Sequence, residues 1–191
     1  MKYIENRAFE NEKFLSEHFD HLDISDCEFT NCIIDGCFFE TCTFSDCTFT
    51  KCKISNPKTR QTFLKNTDFI DCNLQGISFG ELVVSKIFPP ISSLKNCNLK
   101  YNNFYEMDLA KFDFSTCEII HSFFAKCDLS RCDFGSVPLS RTEFVQCNLE
   151  KADFRESNGY QIDIETCELK SAKFSFPEVV NLLNTLGIII D

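Results

Sequence analysis

Large apolar residues recur at every fifth position from Ile4 to Phe174. Of the 35 positions in this register, 16 are Phe, nine Leu, six Ile and one Val; Thr59, Pro89 and Gly159 depart from it. A helix returns to one face about every 3.6 residues and a strand every second residue, so neither accounts for a period of five. The chain must turn one large side chain inward per pentapeptide. A second inward position lies two residues earlier, where Cys recurs and where Thr62, Thr67, Ser122, Thr142, Ala152 and Ala172 also stand. Small residues suit a narrow interior already filled by Phe and Leu, which a bulkier pair would overpack. The intervening positions are polar, as in Asp46-Cys47-Thr48-Phe49-Thr50.

A spacing of 20 sets like on like. Phe9, Phe29, Phe49 and Phe69 fall in one column, continued by Leu109, Leu129, Leu149 and Leu169. Phe114, Phe134, Phe154 and Phe174 form a second, and Phe104, Phe124 and Phe144 a third. A spacing of 15 mixes residue types. The expected fold is therefore all-β: a right-handed quadrilateral β-helix with about 20 residues per coil, each coil burying its inward ring against its neighbours. At about 4.8 Å per rung, some eight and a half coils predict a rod of about 40 Å.

The repeat is expected over 1–176. Thr59 and Gly159 mark irregular corners, and Phe88-Pro89-Pro90 predicts a bulge or bend near 83–93, where a cis X-Pro bond can form. Lys2, Arg7, Glu12 and Glu17 stand where Cys stands later, which predicts a looser first coil. At 177–191 the period changes. Pro177, Glu178 and Gly187 suit the start and stop of an α-helical cap. Val179, Leu182, Leu183 and Leu186 would line one face. Val180 and Ile188-Ile189-Ile190 add apolar surface beyond the needs of a cap, which points to a homodimer joined there.

Charge changes the picture further. The formal net charge is −10, which disfavours direct binding to nucleic acid or anionic membranes and favours basic surfaces. Just before the large inward residue, the second half carries Asp108, Asp113, Glu118, Asp128, Asp133, Glu143, Asp153, Asp163 and Glu168. Carboxylates at fixed rungs would make a rigid anionic ladder. Asp also favours such corners because its side chain bonds the backbone at turns, and both causes can operate at once. Lys51, Lys53, Lys58, Arg60 and Lys65 form one basic stretch, read as a solvated face or a contact patch.

The 13 cysteines all keep one phase of the repeat. A disulfide framework has no reason to do so, and C-x-x-C metal spacing is absent, so they are expected to be reduced, structural thiols. His18, His21 and His121 have no nucleophile or metal partner at motif spacing. No phosphate loop or dinucleotide fingerprint occurs. No enzyme activity, cofactor or metal is expected. The absence of an apolar leader in Met1–Glu10 and of any membrane-length apolar stretch predicts a cytoplasmic protein.

The register of Cys or Ala followed by Phe or Leu resembles the pentapeptide-repeat proteins. Asn158-Gly159-Tyr160-Gln161-Ile162-Asp163-Ile164 and the stretch from Phe174 to Ile188 resemble the topoisomerase-protecting branch, which includes the Qnr, albicidin-resistance and microcin-immunity types. The ending Phe174 to Ile188 is most similar to the albicidin-resistance type. The resemblance implies a dimeric DNA mimic that binds DNA gyrase or topoisomerase IV and protects it from an inhibitor or toxin. An alternative from the residues alone is a scaffolding protein with an unrelated partner.

Overall fold

The computed structural model describes residues 2–83 and 89–186. They form a parallel β-solenoid. The strands are short, mostly three residues, and from Lys2–Glu5 to Lys53–Ser55 each pairs with the strand four further along the chain. That step of four makes each coil four-sided. Lys2–Glu5 pairs with Leu22–Ser25, and Ala8–Glu10 with Glu28–Thr30. Phe29 lies against Phe49 and Phe49 against Phe69.

The chain divides into two compact units, Met1–Asn102 and Asn103–Asp191. In the first, the rings of Phe9, Phe29, Phe49 and Phe69 stack at 4.7, 4.6 and 5.2 Å. In the second, Phe104, Phe124 and Phe144 stack at 4.4 and 5.0 Å, and Phe114, Phe134, Phe154 and Phe174 at 4.9, 4.8 and 5.3 Å. Adjacent sides meet edge to face, as Phe134 does with Phe144 at 81°. Both geometries suit the aromatic quadrupole, so each buried ring adds orientation to its area.

The corners impose a condition that the apolar pattern does not show. The second residue after nearly every large inward one has positive φ, from Asn6 (51°) through Asp46 (54°) to Ser171 (60°). Asn, Asp and Gly tolerate this region best, and they fill most such corners of the first unit.

Three expectations require correction. The coil after Phe69 is longer than the rest, because Phe69 pairs with Leu94 and the partners Asp68 and Ser93 are 25 residues apart. The five-residue phase survives, but Phe69 is continued by Leu94 and not by the Leu109 column. The extra pentapeptide coincides with the expected irregularity at 83–93: Val83 still bridges to Phe63, while Asn66 and Thr67 donate to the carbonyls of Pro89 and Pro90. Residues 84–88 lie outside the described residues. The cis X-Pro bond among the described residues is Phe176-Pro177.

The phase also slips near Gly159. Phe144 pairs with Ile162, so Tyr160 and Ile162 are buried where the strict repeat calls for Gly159 and Ile164. The ladder regains its step of 20 at Cys147 and Cys167. The third correction is the cap, a 3-10 helix over Glu178–Leu186 rather than an α-helix. Its first turn is closed by the Val180 N–H donating to the Pro177 carbonyl at 3.0 Å, an i to i−3 bond.

Thr59, in contrast, occupies an ordinary strand position opposite Phe39. A void of about 70 Å³ borders it, lined in part by Phe39, Pro57, Thr62 and Phe79.

The cysteines are unpaired and all are buried except Cys167, which is half-buried. They do more than fill space. The Cys32 Sγ–H reaches the Phe9 carbonyl of the preceding coil at 3.4 Å, and Cys52, Cys72, Cys127 and Cys147 repeat the contact at 3.3 or 3.4 Å. Some substitutes keep a donor: Thr62 bonds the Phe39 carbonyl at 2.9 Å and Asn102 the Leu74 carbonyl at 3.0 Å. Others, such as Ala152 and Val137, are apolar, so the position takes small or apolar side chains and a donor there gains one further contact. Burial pushes the Cys47 thiol up to about 11 and the Cys132 thiol up to about 12, so neither is a reactive thiolate at neutral pH. A thiol reagent should find all 13 cysteines in denatured, unreduced protein. In native protein it should find few, and Cys167 first. Recovery of fewer than 13 after denaturation would mean that disulfides are present.

Candidate protein-binding surface

The acidic positions sort by side of the coil in the second unit. Asp108, Asp128, Asn148 and Glu168 bridge in sequence along one side. Asp113, Asp133 and Asp153 do so along the next, continued by Lys173. Glu118 lies on a third side. On the fourth, Glu143 pairs with Gln161, so the phase slip takes Asp163 out of line with it. The nine expected residues are therefore two columns of three and three scattered groups. All nine are exposed or half-exposed.

The two columns have a local cause. Their sides are turns rather than strands: Phe112 N donates to the Leu109 carbonyl at 3.0 Å and Cys117 N to the Phe114 carbonyl at 2.8 Å. The aspartate before the large residue caps this turn by accepting the N–H two residues on. Asp108 accepts from Ala110 at 3.1 Å, Asp113 from Ser115 at 2.9 Å, Asp128 from Ser130 at 2.9 Å and Asp133 from Gly135 at 2.8 Å. Asp153 and Asp163 do the same with Arg155 and Glu165. Turn chemistry thus selects Asp here, and the columns follow from stacking identical turns.

The charges along the columns are unequal. Asp153 is held by Arg155 in a two-pronged ion pair and by Lys173 at 3.3 Å. The Arg155 guanidinium holds its carboxyl down at about 2, so it is ionised but locally neutralised. Asp128 shares an oxygen with the Asn148 amide at 3.1 Å. Asp108, Asp113, Asp133 and Glu168 carry no recorded ion pair among the described residues. Lys111, Arg131 and Lys151 fall at equivalent positive-φ corners beside the first column, a basic line absent from the sequence expectation. In the earlier basic stretch Arg60 pairs with Glu40 at 3.0 Å and Lys65 with Asp46 at 3.5 Å, so part of it is neutralised.

At the C-terminal end the helix packs on the strand Asn158–Ile162. Val179, Val180 and Leu182 are half-buried, whereas Leu183 and Leu186 are exposed. Ile188, Ile189 and Ile190 lie outside the described residues. The Glu178 carboxylate accepts the Gly159 N–H at 2.9 Å, which ties the cap to the preceding coil. No helix among the described residues is long and apolar enough to cross a membrane, and no group of metal-binding side chains is found among them.

Comparison with known proteins agrees with this architecture. Residues 113–182 match the family model described as pentapeptide repeat region, and residues 2–79 match that of the SV2A/B/C luminal domain. No curated protein sequence matches the chain. Among solved structures, the chain is similar to a trypsin-treated variant of QnrB1, a plasmid-mediated fluoroquinolone resistance protein, at 21% identity over 100% of this chain and 99% of that one, with a TM-score of 0.56. It is also similar to HetL, a pentapeptide repeat protein involved in heterocyst differentiation regulation in the cyanobacterium Nostoc, at 12% identity over 90% and 86% of the two chains, with a TM-score of 0.51. These likenesses show the fold. The match to the pentapeptide repeat region covers residues 113–182, and the four-sided coils extend the same architecture beyond it.

Proposed function

We propose that this protein is a DNA mimic that binds a bacterial type II topoisomerase, DNA gyrase or topoisomerase IV, and protects it from an inhibitor or toxin. It acts in the cytoplasm as a homodimer joined through Leu183, Leu186 and the adjoining C-terminal residues, and it has no catalytic chemistry of its own. The observation that carries the reading is the pair of acidic columns on adjacent sides, Asp108–Asp128–Glu168 and Asp113–Asp133–Asp153. Carboxylates there repeat at one rung, about 4.8 Å, except that Asn148 stands between Asp128 and Glu168 and doubles that step. Duplex DNA places a charge every ~1.7 Å along its axis, so the mimic is sparser but of the same sign. The similarity to QnrB1, a fluoroquinolone resistance protein, supports the direction of the reading, and the resemblance of Phe174 to Ile188 supports the albicidin-resistance subtype.

A second reading has its own support. HetL shares the fold and is involved in regulating differentiation, so a scaffolding role with an unrelated partner fits the same coils. Capture of purified gyrase separates the two readings.

The deciding experiment must part charge from turn chemistry, because the aspartates perform both. Asp108→Asn and Asp128→Asn keep an acceptor for the turn N–H and remove the charge, and Glu168→Gln removes the third charge of the column. The triple variant should fold normally and lose at least about tenfold in protecting gyrase supercoiling against a gyrase poison. Binding by the unaltered protein should weaken as salt rises, since exposed charges are screened beyond about 10 Å at 0.1 M. Full protection by the triple variant would overturn the reading.

A further inference from the structure

The corner beside the first acidic column carries a line of cations that the fold does not call for. Lys111, Arg131 and Lys151 hold φ of 66°, 61° and 61°, a region that Asn and Gly tolerate better. They stack on one ladder. Lys111 N donates to the Ser130 carbonyl, Arg131 N to the Glu150 carbonyl and Lys151 N to the Lys170 carbonyl, at 2.8, 2.8 and 2.9 Å. All three side chains are exposed. Lys151 pairs with Glu150, whereas Lys111 and Arg131 make no ion pair among the described residues. Three residues earlier on the same rungs stand Asp108, Asp128 and Asn148, and Glu168 follows on the next rung. One face of the second unit therefore has an acidic edge and a basic edge, both built on the same repeat.

We propose that this face is a self-association surface on which two copies lie side by side and parallel, about a two-fold axis that runs along the stack. Symmetry decides the orientation. An axis along the stack exchanges the two edges and preserves height, so the acidic edge of one copy meets the basic edge of the other on every rung. An axis across the stack, in the plane of contact, keeps each edge in place and inverts height, so it sets acid on acid and base on base. Spacing decides the occupant. Charges on both edges follow a rung of about 4.8 Å. An extended peptide presents the side chains of one face about every 6.6 Å, and a DNA strand one phosphate about every 3.4 Å of axis, so either runs out of step. A second coil of the same kind stays in step.

The parallel arrangement sets Asp108 opposite Lys111 of the second copy and Asp128 opposite Arg131, each pairing twice by symmetry. Asn148 meets Lys151, and Glu168 stands one rung from it. The column nearest the axis begins with Ala110 and Ser130, both half-buried and small enough for the two backbones to approach. Glu150 and Lys170 continue that column, and each lies one rung from the opposite charge across the axis. The contact is mostly exposed charge, so it is weak and fades with salt. The associated form covers the Asp108 column. The inference does not rest on the topoisomerase reading, and its test contains no topoisomerase.

The test is a thiol crosslink in the full chain. Position 130 lies almost on the axis, so Ser130→Cys should give a covalent dimer on mild oxidation, with the unaltered chain as the blank for half-buried Cys167. Ser115→Cys, exposed on the next side of the coil, should not. Adding Lys111→Glu and Arg131→Glu to Ser130→Cys leaves the aspartate-capped turns intact and sets acid against Asp108 and Asp128. The yield should then fall at least about tenfold, since four opposite-charge contacts become like-charge ones. Raising salt from about 0.1 M to about 1 M shortens screening from about 10 Å to about 3 Å and should lower the yield too. Mixing the acidic variant with one carrying Asp108→Lys, Asp128→Lys and Ser130→Cys faces acid with base again and should recover it. No covalent dimer from Ser130→Cys would leave the basic line to a different polyanion and overturn the proposal. So would an equal yield from Ser115→Cys, or an undiminished yield from the acidic variant. A mixture that does not recover, while both variants keep their β spectrum, overturns it as well.

Discussion

Replacing Phe134 with Ala should cost about 3–5 kcal/mol, the range for deleting a fully buried aromatic ring that leaves a cavity. Phe134 is 0% exposed. It stacks on Phe114 and Phe154 at 4.9 and 4.8 Å and meets Phe124 and Phe144 edge-on at 6.4 and 5.6 Å. Four aromatic contacts are lost at once, and the ring of each coil is fixed by those above and below, so little collapse is available to fill the space. Phe14 is the control. It occupies the same register but sits half-buried in the first coil, with edge contacts to Phe9 and Phe19 at 6.5 and 5.9 Å. Phe14→Ala should cost no more than about half as much. Urea unfolding followed by circular dichroism checks the order. Equal losses at the two sites would mean that the stack does not distribute stability as neighbour contacts require.

The coil, its four sides and its inward rings were legible because a period of five over such a length admits few solutions. The columns Phe104–Phe124–Phe144 and Phe114–Phe134–Phe154 could be read from residue identity alone, and stacking at 4.4 to 5.0 Å matches them. Two features escaped for different reasons. The coil after Phe69 gains a whole pentapeptide, which leaves the five-residue phase intact, so periodicity is blind to its length; Phe88-Pro89-Pro90 marks an irregularity at the place, but not that it adds five residues. The slip at Tyr160 is the opposite case. A strict register assigns Ile164 inward because it is apolar, while the ladder sets Ile162 opposite Phe144.

The acidic positions were visible, but their grouping was not. Reading every fifth residue as one ladder merges four sides of the coil. Sorting by 20 gives the two columns, and the reason for them is turn chemistry at Asp108, Asp113, Asp128 and Asp133. The sequence carries that signal only in part. Asp precedes the inward residue on the turn sides and Thr43, Thr48 and Ile33 precede it on strand sides, but Asp23 and Asp68 stand on strand sides too. The donor role of the cysteines had a signal as well, in Thr62 and Thr142 replacing Cys, since an apolar-only site has no preference for a hydroxyl.

Gly159→Val should destabilise the second unit by about 2–3 kcal/mol and loosen the C-terminal helix. Gly159 has φ +75°, where a β-branched residue is strained at a cost of order 1–3 kcal/mol. Space compounds the strain. A Cβ added there would stand 2.9 Å from Ser140 Cα and 3.2 Å from Ser140 N, backbone atoms that cannot swing aside. Relief requires the backbone at Gly159 to move, and its N–H is the donor to Glu178 at 2.9 Å. Tyr160, packed between Phe154 and Phe174 at 5.5 and 5.8 Å, would move with it. Hydrogen exchange should therefore rise over Glu178–Leu182 while strands of the first unit keep their protection. Glu178→Gln supplies the comparison, since it keeps an acceptor for the Gly159 N–H and adds no clash. It should leave exchange close to that of the unaltered protein. Unchanged protection over Glu178–Leu182 in Gly159→Val would show that the helix is held by Val179, Val180 and Leu182 alone, and that the Gly159 contact is incidental.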